Sequence, residues 1–334
     1  MPIFSRELGI DLGTENTVIA EGNQILWQQP TVVALVTNEL KIVEWGQAAK
    51  DMYGRVPESL EVVHPMQHGV IADYEITERM LSRLVRDISG RMSLFPPHIM
   101  ITVPYGITSV ETRAVHEAGL SASRDVYLIR QPVAAALGID LPIGTPSGNM
   151  IISLGGGANQ AAVLAMFDVV TAETSRTGGL RMDEAIVVHV RKKFGVIIGQ
   201  PTAEQLKIQI GAAIPQERQL VAEVQGQDQV TGLPRPVSLT TDDIVDALQD
   251  PLNEVVQMVK RVLEKTPPEL LSDIIDRGVA LCGGGALLRG IDKYLTKSLG
   301  IPAYLVDNPT QCTALGAAKA LKMRDALRRS LLSI

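Results

Sequence analysis

The first 36 residues alternate short apolar runs with polar turns. LGIDLG (8–13), NTVIAEG (16–22), QILW (24–27) and TVVALV (31–36) read as strands joined by tight connections such as the turn at 21–24, so the chain should open with a β-meander. The period then lengthens. TERMLSRLVRDISGR (77–91) places Met80, Leu81, Leu84, Val85 and Ile88 on one helical face. HIMITVP (98–104) predicts a buried strand stopped by Pro104, SVETRAVHEAGLSAS (109–123) a helix, and VYLIRQP (126–132) another strand. PVAAALGIDL (132–141) begins with proline, as a helix N-terminus favours. PIGTPSGN (142–149) breaks the pattern and predicts a domain boundary.

The second half restarts in the same way. MIISLGGGANQAAVLAMFDVVTAET (150–174) again reads strand, glycine turn, strand, turn, strand. Helices are predicted over 183–195 and 202–213, and a small β segment from LVAEVQG and RPVSLT around a turn at 225–232. Thr240 with Asp243 three residues on resembles a capping box. Helical pattern follows to Lys265, interrupted at Pro251, and resumes near Glu269. GVALCGGGALLRGIDKYLTKSLG (278–300) predicts strand, triple glycine, helix, and 313–334 an amphipathic closing helix. Two halves that each open with a glycine-turned meander suggest an internal duplication, with a ligand in the cleft between them.

Bulk properties exclude several classes. The 334 residues suffice for two domains; 46% are hydrophobic and 20% charged, as in a globular protein. A formal charge of -6 gives no reason to expect nucleic acid. MPIFSRELGI has no apolar core or cleavage site of a signal peptide, and no apolar run is long enough to span a membrane. Cys282 and Cys312 fit neither a disulfide framework nor a zinc site and are expected to be small core residues in a reducing cytoplasm. The five histidines show no metal-binding spacing.

Three glycine turns carry the candidate chemistry. Asp11-Leu12-Gly13-Thr14-Glu15-Asn16 joins two strands, and its bare backbone suits either a phosphate or an ordinary hairpin. Asp11 is placed to hold Mg²⁺ through water, since that ion keeps much of its hydration shell. Ser153-Leu154-Gly155-Gly156-Gly157-Ala158-Asn159 is equally permissive but offers Ser153 where the first turn has Asp11. Cys282-Gly283-Gly284-Gly285-Ala286-Leu287-Leu288 opens a helix, which suits either a nucleotide or close strand–helix packing. No turn is followed by the Lys-Ser/Thr of a P-loop, and the first two lead into strands, unlike a dinucleotide-binding fingerprint.

With these turns in order, the sequence resembles the MreB family, the bacterial homologues of actin. The resemblance rests on LGIDLGTENTVI (8–19), HPMQHGVIADYEITERML (64–81), ITVPYGITSVETRAVHEAGL (101–120), QPVAAALG (131–138), GGLRMDEAI (178–186), GQPTAEQLKIQIG (199–211) and CGGGALLRGID (282–292). It implies an α/β actin-like fold: two lobes with ATP or ADP and Mg²⁺ between them. The implied lobe I covers 1–144, with a small subdomain at about 33–63. Lobe II covers 145–311, with a small subdomain at about 181–240, and 312–334 returns to lobe I. The resemblance also implies self-association into filaments under the cytoplasmic membrane, where they guide the cell-wall elongation machinery and maintain rod shape. Gly13, Thr14, Glu15 and Asn16, with Gly155, Gly156, Gly157, Ala158 and Asn159, would meet the phosphates. Glu204, Gln205, Leu206 and Lys207 would lie near the ribose and adenine. Gly283, Gly284, Gly285, Ala286 and Leu287 would cover the purine.

The departures gather at the catalytic centre. Where the family has Asp-Ile-Gly-Gly-Gly-Thr-Thr, this chain has Ser153 for the Asp, Ala158 for the first Thr and Asn159 for the second. Gln131 stands where a Glu positions the attacking water, and Leu180 replaces the Asp of a Gly-Gly-Asp. Gln131 and Asp11 remain the candidate catalytic residues. A glutamine cannot act as a base but can orient a water. The glycine backbone survives every change, so nucleotide binding should persist while hydrolysis slows.

Leu94 and Phe95, adjacent apolar residues in a connecting loop, resemble a membrane-dipping pair of the family, and Ile3 and Phe4 would join them. The basic end helix (Lys319, Lys322, Arg324, Arg328, Arg329) is expected to be a solvated face, and helix 109–123 is a candidate contact between protofilaments. Three alternatives stand beside a nucleotide-gated filament. A small-molecule kinase of the same superfamily would need a base and an acceptor pocket. A chaperone-type nucleotide domain lacks its substrate-binding part here. A regulatory paralogue would co-assemble with a normal partner.

Overall fold

The computed structural model describes residues 5–37, 39, 41–90, 96–328 and 330–332. The membrane candidates Ile3, Phe4, Leu94 and Phe95 lie outside them, as does Arg329.

The meander is present. β1 (Glu7–Leu12), β2 (Asn16–Glu21) and β3 (Gln24–Pro30) pair antiparallel in sequence. The β2–β3 loop is two residues long, and Gly22 supplies the positive φ (58°) that such a turn needs. Next come β4 (Val33–Val36), β5 (Lys41–Trp45), α1 (Gly46–Asp51) and β6 (Leu60–Val63), whose strands form a small sheet in the order β5-β4-β6. A short hairpin, β7 (Met66–Gln67) and β8 (Val70–Ile71), leads to α2 (Tyr74–Ser89). β9 (His98–Val103), α3 (Ser109–Leu120) and β10 (Asp125–Arg130) then extend the first sheet, β9 lying parallel to β1 and β10 parallel to β9. α4 (Gln131–Gly138) follows, with Pro132 in its first turn.

The second half repeats the plan. β11 (Asn149–Leu154), β12 (Asn159–Ala165) and β13 (Asp168–Ser175) form the meander. The insertion comprises α5 (Gly179–Phe194), β14 (Val196–Ile197), α6 (Gln200–Ile210), β15 (Val221–Asp228), β16 (Pro234–Thr240), α7 (Thr241–Glu264) and α8 (Pro268–Arg277). β17 (Val279–Cys282), α9 (Ile291–Leu299) and β18 (Ala303–Leu305) complete the sheet, and α10 (Cys312–Lys322) takes the place of α4. The two five-stranded sheets run β10-β9-β1-β2-β3 and β18-β17-β11-β12-β13, with matching parallel and antiparallel neighbours. The duplication suggested by the glycine turns is therefore present in strand order.

α4 and α10 lie between the sheets and share one apolar cluster with Met100 and Ile129 of the first and Ile151, Ala162 and Ala280 of the second. Their small-residue sequences permit the approach. A Cβ on Gly316 would fall 1.7 Å from the Ala134 carbonyl oxygen, and one on Gly138 would fall 1.8 Å from that of Cys312. The outer faces are closed by α2 and α3 on one side and by α5, α7 and α9 on the other.

Several expectations are corrected. α7 runs unbroken through Pro251, because Ile244, Leu248, Leu252, Val255, Val256, Val259 and Val262 bury a continuous stripe. That burial outweighs the roughly 3 kcal/mol cost of an internal proline. α5 starts at Gly179, before the apolar pattern, for a tertiary reason given below. The third glycine turn opens only a 3₁₀ turn (Gly284–Leu287), and the α-helix waits until Ile291. The closing helix stops at Lys322, leaving Arg324 and Arg328 in turns beyond it.

Candidate functional site

The first two glycine turns sit at equivalent ends of the duplicated meanders and close in the same way. The Gly13 N–H donates to the Asn16 carbonyl at 3.1 Å, and the Gly155 N–H to the Ala158 carbonyl at 3.0 Å. A Cβ on either glycine would strike that carbonyl oxygen, at 2.6 Å and 2.5 Å respectively. The tips touch across the lobes. A Cβ on Gly156 would fall 2.1 Å from Cγ of Glu15, and one on Gly157 would fall 2.3 Å from Oγ1 of Thr14. The backbone N–H groups of Thr14, Glu15, Gly156 and Gly157 have no acceptor among the described residues. Unsatisfied donors at facing turns suit an anion such as a phosphate chain.

The carbonyls of the second turn are in use. Gly179 N–H donates to Gly155 O and Leu180 N–H to Gly156 O, both at 2.9 Å. These bonds cap the first turn of α5 and explain its early start. Gly178 must be small here, since its Cβ would lie 2.4 Å from Gly156 O.

Below the turns lies a partly buried polar chain. Asp11 Oδ1 accepts from the Thr102 hydroxyl at 2.6 Å and from Gln131 Nε2 at 3.0 Å. Gln131 Oε1 accepts in turn from Gln160 Nε2, and Gln160 Oε1 from the Tyr105 N–H at 2.8 Å. Burial pushes the Asp11 carboxyl above its ordinary range, against the pull of the Thr102 and Gln131 hydrogen bonds. Ser153 pairs in register with Gln160 on β12 and Cys282 on β17, so the altered residue does sit beside this chain. Glu15 Oε1 and Asn159 Oδ1 are buried without a hydrogen-bond partner. These orphaned oxygens and the Asp11 carboxylate are of the oxygen type that a hydrated Mg²⁺ takes, so the chemistry of these side chains is compatible with that ion.

The cleft mouth carries charge. Lys50 on α1 reaches Glu204 on α6 at 2.8 Å and Glu15 at 3.7 Å. Burial works to lower the Lys50 pKa, but the two carboxylates overcome it and hold the ammonium above its usual value. Lys207 pairs with Asp183 at 2.8 Å and donates to Gly179 O at 3.0 Å. Burial raises Asp183 to about 6 despite Lys207, with Glu204 and Glu15 acting in the same direction. Gln205 faces solvent, while Leu206 packs in the apolar cluster shared with Met150, Ile152 and Leu154 of β11. Gly283 adopts a φ of 85° and leaves no room for a Cβ beside Leu154 O, at 2.4 Å. Gly284 faces open space and Leu287 is exposed, whereas Ala286 is buried. Cys282 and Cys312 are both buried, as expected for core residues. Among the described residues no cluster of His, Cys, Asp and Glu is built to hold a metal by itself, and no helix is long and apolar enough to cross a membrane.

The profile of the MreB/Mbl protein family matches residues 5–329. The chain belongs to this family. It is 44% identical over 332 residues to the cell shape-determining protein MreB of Pasteurella multocida, covering 97% of this chain and 95% of the relative. It is 41% identical over 332 residues to the cell shape-determining protein Mbl of Bacillus cereus, covering 99% and 100%. Among solved structures it superposes on MreB5 of Spiroplasma citri bound to ADP with a TM-score of 0.92 and 28% identity, covering 98% and 99%. The fold is thus the two-lobed actin-like fold that the resemblance implied.

Sequence reasoning missed Lys50 and Tyr105, and also three residues that had a signal. Gln160, Thr102 and Asp183 are polar residues in apolar surroundings (AVLA, MIT-V, MDEAI), and a buried polar residue inside a strand or helix core was the available signal.

Proposed function

We propose that the chain is an actin-like cytoskeletal protein that binds ATP and ADP between its lobes, assembles into filaments and helps determine cell shape. The observation that carries the reading is the pair of glycine turns meeting across the lobes with N–H groups directed at no internal acceptor. The ADP in the Spiroplasma citri structure and the shape-determining roles in the relatives' names support it. The lobe boundaries at 144 and 311 belong to the same reading, which has 312–334 return to the first lobe. Gly13 to Asn16 and Gly155 to Asn159 hold the phosphates, Asp11 holds Mg²⁺ through water, and Glu204 to Lys207 with Gly283 to Leu287 flank the nucleoside.

Hydrolysis is slow in this reading. Gln131 orients a water but takes no proton, Ala158 offers no hydroxyl, and Ser153 brings no charge to the metal. One well-placed polar contact is commonly worth roughly 10²–10³ in rate. The filament lies on the inner face of the membrane and guides cell-wall synthesis. Leu94, Phe95, Ile3 and Phe4 supply apolar contacts worth about 1.5–3 kcal/mol each, repeated along the filament. Equilibrium binding of fluorescent ATP and ADP, with electron microscopy of the protein in ATP, in ADP and without nucleotide, tests the core of the reading. Tight binding with filaments in ATP is expected, and no binding of either nucleotide would overturn it. Serine at both 94 and 95 should abolish co-sedimentation with liposomes while leaving the fold intact.

A further inference from the structure

The partly buried chain Tyr105–Gln160–Gln131–Asp11 has a direction that its two ends impose. At one end the Tyr105 N–H can only donate, so it must meet the amide oxygen of Gln160. The Gln160 NH₂ is then turned toward Gln131 and must meet an oxygen. The Gln131 NH₂ is left facing the Asp11 carboxylate, which accepts it at 3.0 Å. Neither amide can flip without setting donor against donor or acceptor against acceptor in a partly buried site, where an unmet polar group is costly. One lone pair of Gln131 Oε1 is occupied by Gln160, and the second stays available in a fixed direction.

The members come from different lobes. Asp11 and Thr102 are on the first sheet, Gln131 begins α4 and Tyr105 follows β9, whereas Gln160 is on β12 of the second sheet. Gln160 is 2% exposed, so its amide has no competing water. The hydrogen bonds of Gln160 to Gln131 and Tyr105 therefore cross between the lobes, and drawing the lobes apart would break them.

We propose that Gln160 is a positioning residue for Gln131: it makes lobe closure the condition under which the Gln131 amide is oriented toward the attacking water. The inference rests on the nucleotide reading above. In the step it serves, the water oxygen bonds to the γ-phosphorus of ATP and the bond to the β–γ bridging oxygen breaks. The water's protons pass to phosphate oxygens and solvent, because an amide accepts none. Gln160 touches none of these atoms and acts only through Gln131.

The test compares Gln160→Met, which keeps length and removes both hydrogen bonds, with Gln160→Glu, which keeps an acceptor for Tyr105 N–H and removes the donor to Gln131. Phosphate release from bound ATP is followed over a single turnover, and affinity by titration with fluorescent ADP. The expected result is slow release by the unmodified protein and a fall of about 10²-fold in each variant that folds. ADP affinity should stay within about twofold. Gln131→Met should fall as far, and the Gln131→Met/Gln160→Met double variant no further, because the two act as a unit. Unchanged release in either folded variant, or additive losses in the double variant, overturns the proposal. So does an unmodified protein that binds ADP but never releases phosphate. An unmodified protein that fails to bind ADP overturns the nucleotide reading instead, and this inference with it.

Discussion

The first and second glycine turns share a backbone and differ in what they carry. Both are closed by a hydrogen bond from the leading glycine to a carbonyl three residues on, and both exclude a Cβ at that glycine. The first fills the space at its tip with Thr14 and Glu15, whose side chains press on Gly156 and Gly157 of the second. The second turn is bare there and uses its carbonyls to start α5. Duplication thus preserved the cradle, while one copy kept an acid at its base (Asp11) and the other has Ser153. The difference separates holding a phosphate, which a backbone can do, from activating its cleavage, which needs side chains.

Restoring the missing groups tests this most strongly. Ser153→Asp with Ala158→Thr should raise single-turnover phosphate release by roughly 10²-fold if the second turn lost only its side-chain chemistry. The added carboxylate stands in register with Gln160, which links through Gln131 to the Asp11 carboxylate, so the same variant should melt lower without Mg²⁺–nucleotide and recover when it is added, read by thermal denaturation. The bare tip comes next. Gly156→Ala forces Cβ toward Glu15, to within 2.1 Å of Cγ in the stem of the side chain. Nucleotide binding should weaken by about 1–3 kcal/mol, measured by titration. By contrast, Gly13→Ala and Gly155→Ala meet the same obstacle in both lobes, so their stability losses should agree within about 0.5 kcal/mol in urea unfolding. Unequal losses would break the equivalence of the two turns.

A smaller effect belongs to Asp183, beside the second turn only. Its carboxyl titrates at about 6 in the folded protein against 3.8 when unfolded. The folded state therefore holds the extra proton between these values, and stability should fall as pH rises from about 4 to about 6 through this group. Asp183→Asn should remove that part of the slope in urea titrations across the window. The smallest effect is expected at the mouth. Lys50→Ala breaks a partly exposed pair with Glu204 and should cost no more than about 1 kcal/mol, less at high salt.

Much of the fold was legible in the chain. The meanders at 8–36 and 150–174 alternate apolar and polar residues around glycine turns, and the strand order they imply recurs in both sheets. The buried face of α2 followed from spacing, and α3 was expected as a helix. Where reading failed, a distant contact overrode a local rule. Pro251 signals a break, yet the buried stripe of α7 carries the helix through it. Gly178 and Gly179 look like loop, yet the carbonyls of the second turn cap a helix at that point. The triple glycine at 283–285 promises an α-helix, but close packing of Gly283 and Gly285 on Leu154 allows only a 3₁₀ turn.

The candidate site divides in the same way. The sequence by itself determined the glycine cradle, the position of Asp11 and the absence of an acid at 153, because these are properties of single residues and short turns. Only the tertiary structure decided that Gln160 meets Gln131, that Asp183 holds Lys207, and that Lys50 spans the mouth to Glu204. Those pairings join residues 29, 24 and 154 positions apart. No local period encodes them; they arise only when folding brings β12 against the start of α4, α5 against α6, and α1 against α6.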